Sequence, residues 1–167
     1  MHSLRSMDTP KKKGRGSTNV DPDEEAELGL YLSPEKEIAI PSMLVLSALR
    51  KASTDFKAKG KGKKTFKDYV FSDIQINPQW IRVSPDKWIT DIQYVVVGRG
   101  RVPRARPRFD EWGCEFDITI VNDDIWTGSQ LRDVLESAGT YKGLCDFRPL
   151  YGTFEVTSFT DSKGKEV

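Results

Sequence analysis

Histidine is almost missing from this 167-residue chain, the single one being His2. With that residue in a stretch that reads as a tail, Ser-His-Asp and Cys-His nucleophilic mechanisms are excluded, as is any His-ligated metal. Cysteine is nearly as scarce: Cys114 and Cys145 lack a CxxC spacing and a histidine neighbour. That pattern argues against a structural zinc site and suits a reducing compartment, with no disulfide expected between the two. No apolar run approaches the ~20 residues of a membrane helix. No apolar stretch of a secretory signal accompanies Lys11, Lys12 and Lys13, so a soluble, cytoplasmic protein is expected. Neither GxxxxGK[ST] nor GxGxxG occurs, which leaves nucleotide hydrolysis without support. A charge excess is lacking too, since 26 Lys and Arg face 25 Asp and Glu.

The near-neutral total conceals blocks of one sign. Lys11 to Arg15 is basic, Asp21 to Glu27 acidic, Lys57 to Lys67 basic and Arg99 to Arg108 basic again. Such blocks are either solvated loops or one basic face. Residues 1–26 read as a disordered basic and acidic tail, 27–160 as a single domain and 161–167 as a C-terminal tail.

Within the domain the periodicities alternate between strand and helix. Leu28, Leu30 and Leu32 alternate as in a half-buried strand, Ser33-Pro34 reads as a turn and Ile38-Ala39-Ile40 as a second extended piece. Pro41 suits a helix's first turn, and Met43, Leu44, Leu46, Leu49 and Ala52 define one apolar face, so a helix is predicted over Pro41–Phe56. Tyr69 to Ile76, Trp80 to Val83 and Trp88 to Val97 are strand-like. The prolines in Arg101 to Arg108 bias their neighbours away from helix, so that segment is extended. From Trp112 to Val121 apolar and polar residues alternate. Thr127 and Gln130 have capping-box spacing before Leu131, Val134, Leu135 and Ala138, which predicts a helix over Thr127–Ala138. A glycine-rich loop from Gly139 to Gly152 leads to a last strand over Thr153–Phe159. The order is that of an α+β, ferredoxin-like β-α-β-β-α-β fold: an antiparallel sheet with two helices on one face and an enlarged central hairpin.

The basic clusters are the strongest functional signal. Arg104, Arg106 and Arg108 fall at alternate positions of an extended segment and so project on one side, with Arg99 and Arg101 adjoining. Arginine binds phosphate in bidentate fashion and stacks on bases. Lys59, Lys61, Lys63 and Lys64, flanked by Lys57 and Lys67, offer unspecific phosphate attraction, and Trp88, Tyr94, Phe109 and Trp112 are candidates for stacking on bases. The loop Gly143 to Gly152 can form an anion-binding nest beside Arg148. The alternatives are structural: solubilising arginines, core tryptophans and a long turn. Glu115 and Asp117 on one strand face, with Asp124 beyond, are the remaining place for a divalent ion, and equally the polar face of a strand.

Two stretches resemble the RAMP superfamily, the RNA-binding proteins of CRISPR effector complexes. Ile40-Pro41-Ser42-Met43-Leu44-Val45-Leu46-Ser47-Ala48-Leu49-Arg50 is similar to that family's IPxSSLKGxLR at the start of its first helix, and Gly143 to Gly152 is similar to its C-terminal glycine-rich loop. The chain departs from the pattern in having Leu44-Val45-Leu46-Ser47 for SLKG, and Cys145 and Phe147 in the loop. The glycine loop and the Arg-Pro segment also resemble small bacteriophage proteins. The resemblance implies a non-catalytic protein that binds RNA or single-stranded DNA, without a cofactor, as a homo-oligomer or effector-complex subunit. The competing expectations are a protein-interaction or assembly module that binds no nucleic acid and, third, a metal-dependent nuclease.

Overall fold

The structure, a computed structural model, describes residues 21–167. His2, the Lys11 to Arg15 block and the first twenty residues of the expected tail lie outside the described residues. The chain forms two compact units: Tyr31–Asp86 with Glu111–Val167, and Lys87–Asp110 with the described residues through Leu30. The α+β class holds, with four α-helices and small antiparallel sheets among the described residues.

In the larger unit, strand β1 (Ala39–Pro41) runs directly into helix α2 (Ser42–Ala52), and a single 3-10 turn over Ser53–Asp55 continues it. Pro41 is the N-cap residue, one position earlier than its spacing suggests. The buried face of α2 is Val45, Ala48, Leu49 and Ala52, an i, i+3, i+4, i+7 stripe, while Met43 is 56% exposed. The buried face is therefore rotated from the expected one, with Val45 and Ala48 buried in place of Met43, Leu44 and Leu46, and α2 packs mainly against one neighbouring helix. That neighbour is α4 (Gly128–Tyr141), whose Leu131, Val134, Leu135 and Ala138 are buried as their spacing predicts. Its capping box is present, with Thr127 Oγ1 accepting from Gln130 N and Gln130 Oε1 from Thr127 N.

Between these helices the backbone departs from expectation in one place. Val70–Asp73 is a single helical turn, α3, and only Ile74–Asn77 is strand β2. Tyr69 C=O accepts from Ser72 N, Ser72 Oγ and Asp73 N, so local polar groups hold the turn that hydrophobicity alone reads as strand. Strand β3 (Trp80–Arg82) follows at once. Strand β6 (Asp117–Ile120) pairs antiparallel with β2, Ile74 opposite Ile120, whereas β3 pairs antiparallel with β1, Ile81 opposite Ile40. Pro78, without an N–H, separates β2 from β3 and hands the two halves of one extended stretch to different partners.

These ladders are two-stranded and separate, where the sequence predicts one sheet. The segment Thr153–Phe159 forms no strand. Phe154 N donates to Gly139 O at 3.1 Å, so that donor goes to a helix rather than to a ladder. The C-terminal residues are folded rather than a tail. Asp161 Oδ1 accepts from Lys163 N and Lys165 N, Val167 N returns to Phe159 O, and Arg132 bonds the Val167 carbonyl. The core of this unit includes Leu49, Ile81, Trp126, Leu131 and Val134, all under 2% exposed, with Trp126 stacked on Phe66 at 4.2 Å between centroids. Each such apolar side chain contributes about 1.5–3 kcal/mol by burial.

The smaller unit is a hairpin with a helix on it. Strands β4 (Ile89–Val97) and β5 (Gly100–Arg108) pair over their full lengths, Val97 opposite Gly100, so the turn is Gly98-Arg99. Gly98 has φ +66°. A glycine at the first central position is what a type II′ hairpin turn requires. Helix α1 (Pro22–Glu27) packs on β4 and β5. It occupies residues expected in the tail, and no strand forms over Leu28 to Leu32. Asp21 caps it by accepting from Asp23 N, Pro22 opens it, and Asp23, Glu24 and Glu25 lie at the positive end of its dipole.

Candidate nucleic-acid interface

The register of the hairpin decides what its arginines do. Residues opposite one another in an antiparallel ladder share a face, so Arg104, Arg106 and Arg108 do project on one side, across from Gln93, Asp91 and Ile89. That side also carries or receives carboxylates. Arg104 Nη1 meets Glu25 Oε1 at 2.9 Å, and Arg108 meets Asp91 at 3.2 Å and Asp110 at 2.8 Å. Arg106 is half-buried directly opposite Asp91. These three arginines thus sit among acids of their own unit. Arg99 and Arg101, at the hairpin tip, are exposed and have no ion pair among the described residues.

The lysine cluster is arranged differently. Residues 57–65 form a small hairpin of their own in the larger unit, closed by the Lys57–Thr65 bridge and by Ala58 N donating to Lys64 O at 3.0 Å. Ala58, 3% exposed, anchors it in the core, and Phe66 N bonds Phe56 O at its foot. Gly60 and Gly62 take φ of +75° and +66°, so the chain reverses there with its lysines turned outward. Lys57, Lys59, Lys61, Lys63 and Lys64 are exposed, and none has an ion pair among the described residues. Lys64 Nζ lies 6.0 Å from the centre of the Tyr69 ring.

The glycine loop is tightly built. Leu144 N donates to Gly152 O at 2.7 Å, and a side chain at Gly152 would collide with the Leu144 carbonyl. Gly143, Cys145 and Phe147 all have positive φ, near +60° (65°, 58° and 59°). Alternation of this kind turns successive N–H groups toward one side, which is the backbone pattern of a nest. Arg148 is exposed beside it. Burial pushes the Cys145 thiol up to about 11; the Asp146 carboxylate adds to the shift, Arg148 opposes it, and Cys114 adds the least. Burial also raises Cys114, and both cysteines are free thiols. Neither is a thiolate nucleophile at neutral pH.

The aromatic candidates divide. Tyr94 is 70% exposed on the hairpin, whereas Trp88, Phe109 and Trp112 are half-buried, Trp112 edge-on to Phe154 at 6.5 Å. Glu115 and Asp117 are exposed on the polar face of the β6 region, and Asp124 N is held by Asn122 Oδ1. Among the described residues no three His, Cys, Asp or Glu side chains gather as a metal site, and no helix is long and apolar enough to cross a membrane. Sequence reasoning missed Glu25, which holds Arg104. Its signal was available in Asp21-Pro22-Asp23-Glu24-Glu25, a helix start with an N-cap, proline at the first position and acids in the first turn. No protein-family model, no curated protein and no solved structure matches the chain.

Proposed function

We propose that this protein binds RNA or single-stranded DNA without catalysis, in the manner of a RAMP-like, ferredoxin-like domain, and that its lysine hairpin is the principal phosphate contact. One observation carries this reading: the exposed Lys57, Lys59, Lys61, Lys63 and Lys64 stand on an anchored hairpin, with no carboxylate paired to them among the described residues. Uncompensated cations release counterions when they meet a phosphate backbone, which is the main source of sequence-independent affinity. Arg99, Arg101 and Arg148 add exposed guanidinium groups. Arg104, Arg106 and Arg108 contribute less, since acids already surround them.

The family likeness supports the same reading. The Ile40–Arg50 motif lies on β1 and most of α2, and the Gly143 to Gly152 loop directly follows α4. The ferredoxin-like plan rests on the chain order β1, α2, α3, β2 and β3, β6, α4 in the larger unit, with the single turn α3 added between the first helix and the strands.

Two multiple variants distinguish the basic clusters. Replacing Lys59, Lys61, Lys63 and Lys64 by Ala weakens binding of a single-stranded oligonucleotide severely, and replacing Arg104, Arg106 and Arg108 by Ala weakens it far less. Fluorescence anisotropy at one low salt concentration measures both, with circular dichroism as the folding control. If the arginine variant loses more affinity than the lysine variant while folded, the phosphate contact is the arginine row.

A further inference from the structure

The β4–β5 hairpin has two outer edges, and they differ in kind. With a two-residue turn, Val97 and Gly100 exchange backbone bonds, so the odd positions of β4 and the even positions of β5 face inward. The outward positions of β5 are therefore 101, 103, 105 and 107. Pro103 and Pro107 have no N–H, and the Ala105 N–H is held by Glu25 Oε2 at 3.3 Å. Such an edge rejects another strand. The outward positions of β4 are Thr90, Ile92, Tyr94 and Val96. No proline, lysine or bulge interrupts them. Among the described residues, the backbone groups of Ile92, Tyr94 and Val96 make no bond outside the hairpin. Their side chains share one face and are 49%, 70% and 70% exposed.

We propose that the outer edge of β4 pairs antiparallel with β4 of a second copy of this chain, forming a four-stranded sheet across a two-fold axis. The charge pattern selects this occupant and this direction. At the tip of the hairpin stand the exposed Arg99 and Arg101. Its base carries α1, whose Asp23 accepts a bond from Thr90 at the foot of β4, with Glu24 and Glu27 exposed beside it. Antiparallel pairing lays the basic tip of each copy against the acidic base of the other, twice by symmetry. Parallel pairing would set tip against tip. An axis at Val95 places Tyr94 opposite Val96 of the second copy and Asp91 opposite its Arg99. The apolar face formed by Ile92, Tyr94 and Val96 then becomes continuous across the join. The lysine hairpin lies outside these strands, so this inference stands whether or not nucleic acid binds.

Proline at position 94 tests the edge without touching the β4–β5 ladder, because the Tyr94 N–H points outward. By analytical ultracentrifugation the parent sediments at twice the chain mass with concentration-dependent dissociation, and Tyr94→Pro sediments as a monomer. Val96→Lys, which adds an edge charge but keeps the backbone, weakens self-association by on the order of tenfold or more. In a background of Cys114→Ser and Cys145→Ser, Val95→Cys forms a covalent dimer on mild oxidation, since opposed residues at such a position lie about 4.5 Å apart. Gln93→Cys does not. A parent that stays monomeric at every concentration overturns the proposal, as does a dimer that Val96→Lys leaves unchanged. Cross-linking through Gln93→Cys but not Val95→Cys overturns it as well. If β4 amides are protected in a monomeric parent and exposed by Val96→Lys, the chain covers its own edge and the second copy is not the occupant.

Discussion

At the scale of single residues, the same amino acid has opposite significance according to what stands across from it. Arg104 and Arg101 are three positions apart on one strand, yet Arg104 is tied to Glu25 while Arg101 is exposed without an ion pair among the described residues. An exposed ion pair contributes ~1 kcal/mol or less to stability, but it lowers the charge left for a phosphate. Cys145 shows the same dependence on surroundings. Its burial and Asp146 raise its pKa from 9.0 to about 11. A raised thiol pKa means less thiolate at any lower pH. At pH 8 the folded protein therefore exposes about a hundredfold less Cys145 thiolate than a thiol at the ordinary value would. Alkylation by iodoacetamide, followed by mass spectrometry of the native protein, should be slow at pH 8. It should accelerate as pH rises toward about 11. Alkylation at pH 8 as fast as in the urea-unfolded chain would show that the shift is absent.

At the scale of elements, legibility followed the length over which one signal persists. Helix α4 was readable because a capping box, a four-residue apolar stripe and a terminal glycine agree over one segment. It nevertheless extends past Gly139, which lies inside the helix where the Phe154 carbonyl leaves no room for a side chain, and Gly143 at φ +65° turns the chain instead. Thr127→Ala should cost about 1 kcal/mol by removing the cap, read as a lower midpoint in urea with an unchanged slope. A midpoint equal to the parent's would mean that the cap observed at Thr127 carries no stability. Strands β4 and β5 were legible from β-branched residues and from prolines that keep the second of them extended. Their edges were not, since which N–H groups point outward depends on the turn register. The single-sheet expectation foundered on Pro78 and on Phe154, each of which removes or redirects a ladder donor. Helix α1 was missed because an acidic run looks like a tail until its cap and proline are read together.

At the scale of the whole molecule, a net charge of +1 divides into acidic and basic districts with different partners. The acids of α1 serve the arginine hairpin, and the lysine hairpin has no such counterpart among the described residues. Of the functional reading, the basic clusters were visible in sequence. Which of them is neutralised was not, because Glu25 and Arg104 are distant in the chain and only folding pairs them. The most direct measurement is the salt dependence of single-stranded RNA binding by the parent and by the variant carrying Ala at Lys59, Lys61, Lys63 and Lys64. The parent's log K should fall linearly with log salt, and the variant's slope should be shallower by about 0.7 for each phosphate that is no longer neutralised, up to about 3 in total. Equal slopes for the two proteins, or no binding by the parent at low salt, would contradict the assignment of the lysine hairpin as the phosphate-binding element.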